Sequence, residues 1–189
     1  GQKVKLFINR LVRSHYGEPQ IEKLPIPVSI IAADLVNGDK VVFREGSLTH
    51  AMRATMSVPG LMAPVKDGER LLVDGGLVDN VPIDEVRRNC NPDVVIAVNV
   101  GSPLMKAKDI GGIFSVAGQM INILTEQNVT RSLSTLGSGD IYIKPDLDGI
   151  TAAEFGRYAE TAKRGRAAAE AMLPRLKALS VGEQQYKDW

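Results

Sequence analysis

The stretch LLVDGGLVDNVP, Leu71 to Pro82, carries an apolar run to an aspartate, turns on two glycines and starts a new segment through Asn80 and Pro82. Asp74 is the residue to explain. A carboxylate placed directly after Leu71, Leu72 and Val73 stands where a buried strand ends, and a buried ion is costly unless it is paired or well hydrogen-bonded. Gly75 and Gly76 let the backbone turn with no side chain in the way, so Asp74 can face a crevice at the end of a sheet. The same residues also fit an Asp-Gly turn that only ends a strand, which is the commoner use of such a pair. On this stretch alone both readings stand.

Working outward, Glu69 to Val73 forms the strand that delivers Asp74. Upstream, Pro25 and Pro27 introduce PVSIIAADL, a β-branched run apolar on successive residues, as expected of a central strand buried on both faces. Asn37-Gly38 predicts a hairpin, with Val41 to Phe43 as its return strand. Ser47 can cap a helix through SLTHAMRATMSV, with Leu48, Met52 and Met56 on one apolar face and Pro59-Gly60 as its stop. Earlier still, Val4, Phe7, Ile8, Leu11 and Val12 fall at helical spacing and Gly17 with Pro19 closes that helix.

Downstream, Pro82 opens a helix whose first turn carries Asp84 and Glu85, where acids complement the helix dipole. DVVIAVNVG, Asp93 to Gly101, reads as a buried strand of the parallel type. Strand, helix, strand in this order implies a crossover unit in an α/β sheet. A long helix is predicted over 113–136 with Ile113, Ala117, Met120 and Leu124 on one stripe. DIYIKP follows as a short strand. Thr151 and Glu154 have capping-box spacing and open a final helix to Leu179, with Phe155, Ala162, Ala169, Met172 and Leu176 on its apolar side and a solvated, mixed-charge face opposite. The tail from about residue 180, VGEQQYKDW, reads as an edge or linker.

With 189 residues, 44% hydrophobic and 24% charged, the chain has the composition of one well-buried globular domain. A net charge of +1 gives no electrostatic reason to expect nucleic acid. Cys90 is the single cysteine, which excludes an intrachain disulfide and any cysteine-based zinc site. The apolar runs are too short to span a bilayer, and GQKVKLFINR lacks the hydrophobic run of a signal peptide. Gly1 is no natural initiator, so the chain is expected to derive from a longer or processed protein.

The chemistry the sequence excludes narrows the field. His15 and His50 are the only histidines, one ending the first helix and one in the first turn of another, and neither is a good candidate for a catalytic base. No His or carboxylate pair has metal-ligand spacing, and Gly111-Gly112 lacks the lysine and hydroxyl of a phosphate loop. No metal and no cofactor is expected. The sequence contains no G-x-S-x-G elbow of the kind that displays a nucleophilic serine.

The order of the motifs is specific nonetheless. IPVSIIAADLVNGDKVVFREGSLTHAMRATMSVPGLMAPV, then LLVDGGLVDNVPID, then DVVIAVNVGSP, resembles the bacterial patatin-like phospholipases, and the resemblance continues through the long helix and DIYIKPDL into the last helix. It implies a three-layer α/β/α fold with a mainly parallel central sheet, of which residues 1–189 would be the C-terminal part of a single catalytic domain. It also implies a lipid acyl hydrolase, of phospholipase A or lysophospholipase type, that works through a Ser-Asp dyad. In that family the aspartate of the D-G-G turn is catalytic, and the position here is Asp74. Gly75, Gly76 and Asn80 would shape the turn, and Met52, Met56, Leu61 and Met62 would wall an acyl chain.

The chain departs from the family in lacking the glycine-rich oxyanion loop and the G-x-S-x-G serine, which in the family lie upstream of the matched region. Ser47, Ser57 and Ser102 stand in no elbow context and do not replace it. The isolated chain is therefore expected to be inactive, and the missing N-terminal segment is its implied partner, together with a phospholipid or lysophospholipid at a membrane surface. The alternatives are a catalytically inactive lipid-binding or interaction domain of the same fold, and an unrelated doubly wound binding domain. EQQYKDW is similar to family members in which the patatin domain precedes outer-membrane secretion modules, which favours a secreted or outer-membrane-associated protein over a cytoplasmic one.

Overall fold

The computed structural model describes residues 6–8, 10, 12, 19–151 and 154–187. His15 and most of the predicted first helix lie outside the described residues. Helices and strands are mixed, giving an α/β fold. Strand β1 (Ile30–Asp34) is the centre of a four-stranded sheet in the order β2-β1-β4-β3, with β2 at Lys40–Phe43, β3 at Val65–Asp67 and β4 at Arg70–Asp74. Ala32 and Ala33 of β1 are 0% and 3% exposed, as the unbroken apolar run implies. The Asn37-Gly38 turn forms with Gly38 at φ 79°, a left-handed conformation that glycine adopts without penalty. A second hairpin joins β3 to β4 through Gly68 and Glu69, since Asp67 pairs with Arg70 and Gly68 has φ 61°.

Helix α1 (Leu48–Thr55) begins where the Ser47 hydroxyl accepts the His50 N–H at 3.0 Å. It lies across β1 and β4. Ala54 of the helix packs with Ala32 and Leu72 of the sheet, and the two alanines allow the close approach. A second apolar cluster holds the other half of the chain: Val81 and Ile83, at the start of helix α2 (Ile83–Cys90), pack on Val95 and Ala97 and on Val129 of helix α3 (Ile113–Leu133).

The mainly parallel sheet expected from the sequence is not what the described residues pair into. β1 runs antiparallel to both β2 and β4, and β3 antiparallel to β4; only β5 (Ile96–Val98) and β6 (Ile141–Ile143) are parallel, as a separate pair. Tight turns force antiparallel neighbours, and both hairpins have them. The crossover that does occur joins β5 to β6 across α3, whereas β4 and β5, which α2 connects, do not pair. β5 is also half exposed, with Ile96 at 48% and Val98 at 51%, so its apolar run is not buried on both faces within this chain.

Buried charge ties the two halves together. Glu85 of α2 is 1% exposed and accepts bonds from Arg44, just beyond β2, and from Asn89. Lys40 of β2 bridges Asp79 and Asp84, each at 2.8 Å. Asp140 accepts the Val95 N–H at 2.8 Å and the Gly137 N–H at 2.6 Å and pairs with Arg87, fixing the register of β5 on β6.

The single final helix divides. Thr151 and Glu154 make the expected capping bond, 2.7 Å from Thr151 N–H to Glu154 Oε2, but a short 3-10 turn follows before α4 (Tyr158–Ala171) and α5 (Leu173–Ala178). Pro174 explains the break, because it has no N–H for the helix ladder and is accommodated in the first turn of α5. Arg175 donates to the carbonyls of Ser138 and Asp140 at 2.9 Å and pins α5 to the β6 end. The expected linker contains a helix, α6 (Glu183–Lys187), with no buried residue.

Candidate active site

Asp74 closes β4 beside Ala32 of β1, and the backbone then turns through a 3-10 helix at Gly75–Leu77. The turn is self-capped: the Asp74 carboxylate accepts the Gly76 N–H at 2.7 Å. The Asp74 N–H donates to the carbonyl of Ser57 at 3.1 Å, which ties the residue to the segment leaving α1. The two glycines are needed for different reasons. A β-carbon on Gly75 would stand 2.2 Å from the Ile31 carbonyl oxygen, and one on Gly76 would stand 2.8 Å from Asn80 Oδ1 and 3.1 Å from Asp74 Oδ1. Gly75 therefore seats the turn against β1, and Gly76 lets Asp74 and Asn80 share one small space.

Helix α3 braces the other side of this turn. Asn128 accepts the Asn80 N–H at 2.9 Å and donates to the Gly76 carbonyl at 2.8 Å, and the Thr125 hydroxyl reaches the same carbonyl at 3.2 Å. One buried amide thus holds both ends of the segment from Gly76 to Asn80. On the third side, Asn99 is 2% exposed, accepts the Gly101 N–H at 2.9 Å and donates to the Tyr142 hydroxyl at 3.1 Å, shaping the Gly101-Ser102-Pro103 loop.

A crevice of about 1100 Å³ opens over Asp74. Its walls include Met56, Leu61 and Met62, together with Leu104, Met105, Phe114 and Ile121. Three of the four residues expected to wall an acyl chain are thus gathered beside Asp74. Met52 is not: it packs against Ile21, Leu48 and Ala51 in the core. The parting of Met52 from Met56 has a local cause, since the helix ends at Thr55 and Met56 already has φ −95° and ψ 9°. Ser102 lies in the crevice lining, while Ser57 is fully buried and bonds through its hydroxyl to Arg53.

The site contains no histidine among the described residues: His50 stands edge-on to Phe43 and 3.6 Å from Asp67, outside the crevice lining. No three His, Cys, Asp or Glu side chains among the described residues come together as a metal site. Burial pushes the Asp74 carboxyl above its usual 3.8, and the Gly76 N–H opposes that rise without cancelling it. Asp74 is thus a better base than a surface aspartate, held at the floor of a largely apolar space. No cation faces it in an ion pair among the described residues.

Two positioning residues escape the sequence pattern. Arg53 donates to the Ser57 hydroxyl and, at 3.1 Å, to the Ala63 carbonyl, bracing the loop that carries Leu61 and Met62. Asn128 is a buried amide on a helix whose apolar residues dominate its reading. Asn128 gives no sequence signal beyond being an amide within LTEQNVT; the A-M-R-A-T-M-S run does hold an arginine one helical turn before a serine.

β4 thus runs into a glycine turn with a half-buried carboxylate under an apolar crevice. Residues 7–87 match the family model described as patatin-like phospholipase. The chain's relatives extend the likeness past the Asp74 turn and α2. An uncharacterised NTE family protein of Mycobacterium tuberculosis (strain ATCC 25618 / H37Rv) is 31% identical over 187 residues, covering 88% of this chain and 32% of that protein. A second such protein of the same strain is 41% identical over 99 residues, covering 52% of this chain and 27% of its own. A lysophospholipase nte1 of Aspergillus fumigatus is 27% identical over 191 residues, covering 89% of this chain and 12% of that protein. The chain therefore spans about a third or less of the length of these relatives. No described helix is long and apolar enough to cross a membrane.

Proposed function

We propose that this chain supplies the aspartate half of a Ser-Asp dyad in a lipid acyl hydrolase of lysophospholipase or phospholipase A type. The observation that carries the reading is Asp74 itself: a carboxylate with raised basicity, fixed by backbone bonds alone, beneath a crevice walled by Met56, Leu61 and Met62. The family-model match and the lysophospholipase among the relatives support it.

The chemistry follows from one carboxylate acting twice. Asp74 takes the proton of a serine hydroxyl as the serine oxygen attacks the ester carbonyl carbon. The protonated Asp74 then gives that proton to the leaving alcohol as the tetrahedral intermediate collapses to acyl-serine. Water attacks the acyl-serine with Asp74 again as base, and the fatty acid leaves. A raised pKa suits both steps, because the base must accept a proton and then return it near neutral pH. Oxyanion stabilisation would come from backbone N–H groups of a glycine-rich loop. The apolar walls hold the acyl chain and keep the base out of bulk water, leaving room for the one water that deacylation consumes.

On this reading the nucleophile comes from outside these 189 residues, which contain no G-x-S-x-G. The chain alone is therefore expected to turn over no ester and to resist labelling by a fluorophosphonate serine probe. The protein extended upstream to include a G-x-S-x-G segment is expected to hydrolyse esters and to be labelled by the probe. Absence of labelling in the extended protein would favour the inactive lipid-binding domain instead.

A further inference from the structure

The crevice over Asp74 is ringed by apolar side chains that no described residue covers. Leu61, Leu104 and Phe114 line it yet are 60%, 46% and 89% exposed, and Ile113 beside Phe114 is 80% exposed. These residues come from two loops and the first turn of α3, so their convergence is made by the fold and not by one amphipathic stretch. Lys106 and Lys108 line the same crevice, both are exposed, and neither is in an ion pair with a described residue. With two lysines against Asp109, the loop that carries them is itself net positive, and Asp148 is the other exposed carboxylate in the crevice lining.

We propose that this rim is a docking surface for a phospholipid layer, with Phe114, Ile113, Leu104 and Leu61 entering the acyl boundary and Lys106 and Lys108 resting on headgroup phosphates. The proposal rests on the hydrolase reading for its purpose. Its physical basis is separate. An aromatic and aliphatic tip flanked by lysines is what a water–lipid boundary accommodates, because the apolar tips leave water while the ammonium groups stay in the headgroup layer. A protein partner would leave the lysine pair needing matched carboxylates, whereas a lipid layer offers phosphates at any azimuth around the crevice mouth. A crevice that opens in the middle of the docked face receives its lipid directly from the layer.

The test uses the full-length protein carrying Asp74→Asn, so that vesicles survive the measurement. Partitioning is measured by co-sedimentation with phosphatidylcholine vesicles, with and without phosphatidylglycerol, for this background, for Leu104→Ser with Phe114→Ser, and for Lys106→Glu with Lys108→Glu. The serine pair is expected to weaken partitioning to both vesicles by at least about tenfold. The glutamate pair is expected to abolish the gain from phosphatidylglycerol, also about tenfold or more. Thermal unfolding of each variant separates a lost surface from a lost fold, and Ile113→Ser serves as a second apolar variant should the serine pair unfold. Partitioning that matches the background in all variants, the result expected where another part of the protein covers the rim, overturns the proposal. Failure of the hydrolase reading would appear in ester assays and leaves this readout intact.

Discussion

A β-carbon on Gly75 would stand 2.2 Å from the carbonyl oxygen of Ile31 and 2.6 Å from its carbonyl carbon, so the turn that presents Asp74 rests directly on the backbone of β1. The obstacle is main chain and cannot rotate away. Gly75→Ala is expected to lower the unfolding free energy by about 3 kcal/mol, the upper part of the range for overpacking, as read by urea denaturation. A neutral effect would mean that the turn is not held where the structure has it.

Asn128 joins the two ends of the same turn through its bonds to the Gly76 carbonyl and the Asn80 N–H. Asn128→Leu keeps the volume and removes both partners. Stability is expected to fall by about 2 kcal/mol, since each polar group left unsatisfied costs roughly 1–3 kcal/mol and Thr125 still serves the Gly76 carbonyl. In the extended protein, turnover is expected to fall further than this loss of folded protein explains, because the aspartate loses its brace.

Glu85 offers a pH signature. Burial raises its pKa, but bonds from Arg44 and Asn89 and the charges of Arg44 and Arg88 outweigh burial, so the folded value lies below 4.5. A depressed acid contributes stability that is present above its unfolded value and lost as pH falls through the folded one. Arg44→Met is expected to cost about 2 kcal/mol at neutral pH, less than the loss of a fully buried partner because Arg44 is half exposed and Arg88 remains 3.7 Å away. The cost should shrink as pH falls below 4.5, which denaturation midpoints across an acid series would reveal.

Asp74 has the opposite sign. Its pKa is raised above 3.8 by burial, so the ionised carboxylate destabilises the fold, and its favourable contribution exists only below 3.8 and is lost as pH rises through the folded value. Asp74→Asn retains an oxygen for the Gly76 N–H and removes the charge. It is expected to raise the thermal midpoint at pH 7, with the gain vanishing below pH 3.8. A variant less stable than the parent at pH 7 would show that the carboxylate is not strained by burial.

What the sequence makes legible here is what local chemistry determines. The run Ile30 to Asp34, the Asn37-Gly38 turn, the Ser47 cap and the glycine turn after Asp74 all announce themselves within a few residues. Gly68 carries the same kind of signal as Gly38, yet β3 is only three residues long and reads as loop. Strand direction is another matter. Whether β4 pairs with β1 or β5 depends on contacts forty residues apart, and a continuous apolar run fits a central antiparallel strand as well as a parallel one. The methionines illustrate the same limit at the site. Met52 and Met56 share a helical stripe on paper, but the helix stops between them, sending one to the core and the other to the crevice. Ile113, Met120 and Leu124 share one apolar stripe yet are 80%, 61% and 49% exposed, and the buried position of α3 that holds the site is Asn128.

The central claim is that Asp74 is the base of a Ser-Asp dyad, and the direct measurement is hydrolysis of a fluorogenic lysophospholipid by the upstream-extended protein as the parent and as Asp74→Asn. With a lost general base, turnover is expected to fall by at least about 100-fold while the variant stays folded. In the parent, activity should rise with pH through a midpoint above 3.8, because the ionised carboxylate is the working form. Full turnover by folded Asp74→Asn would contradict the dyad.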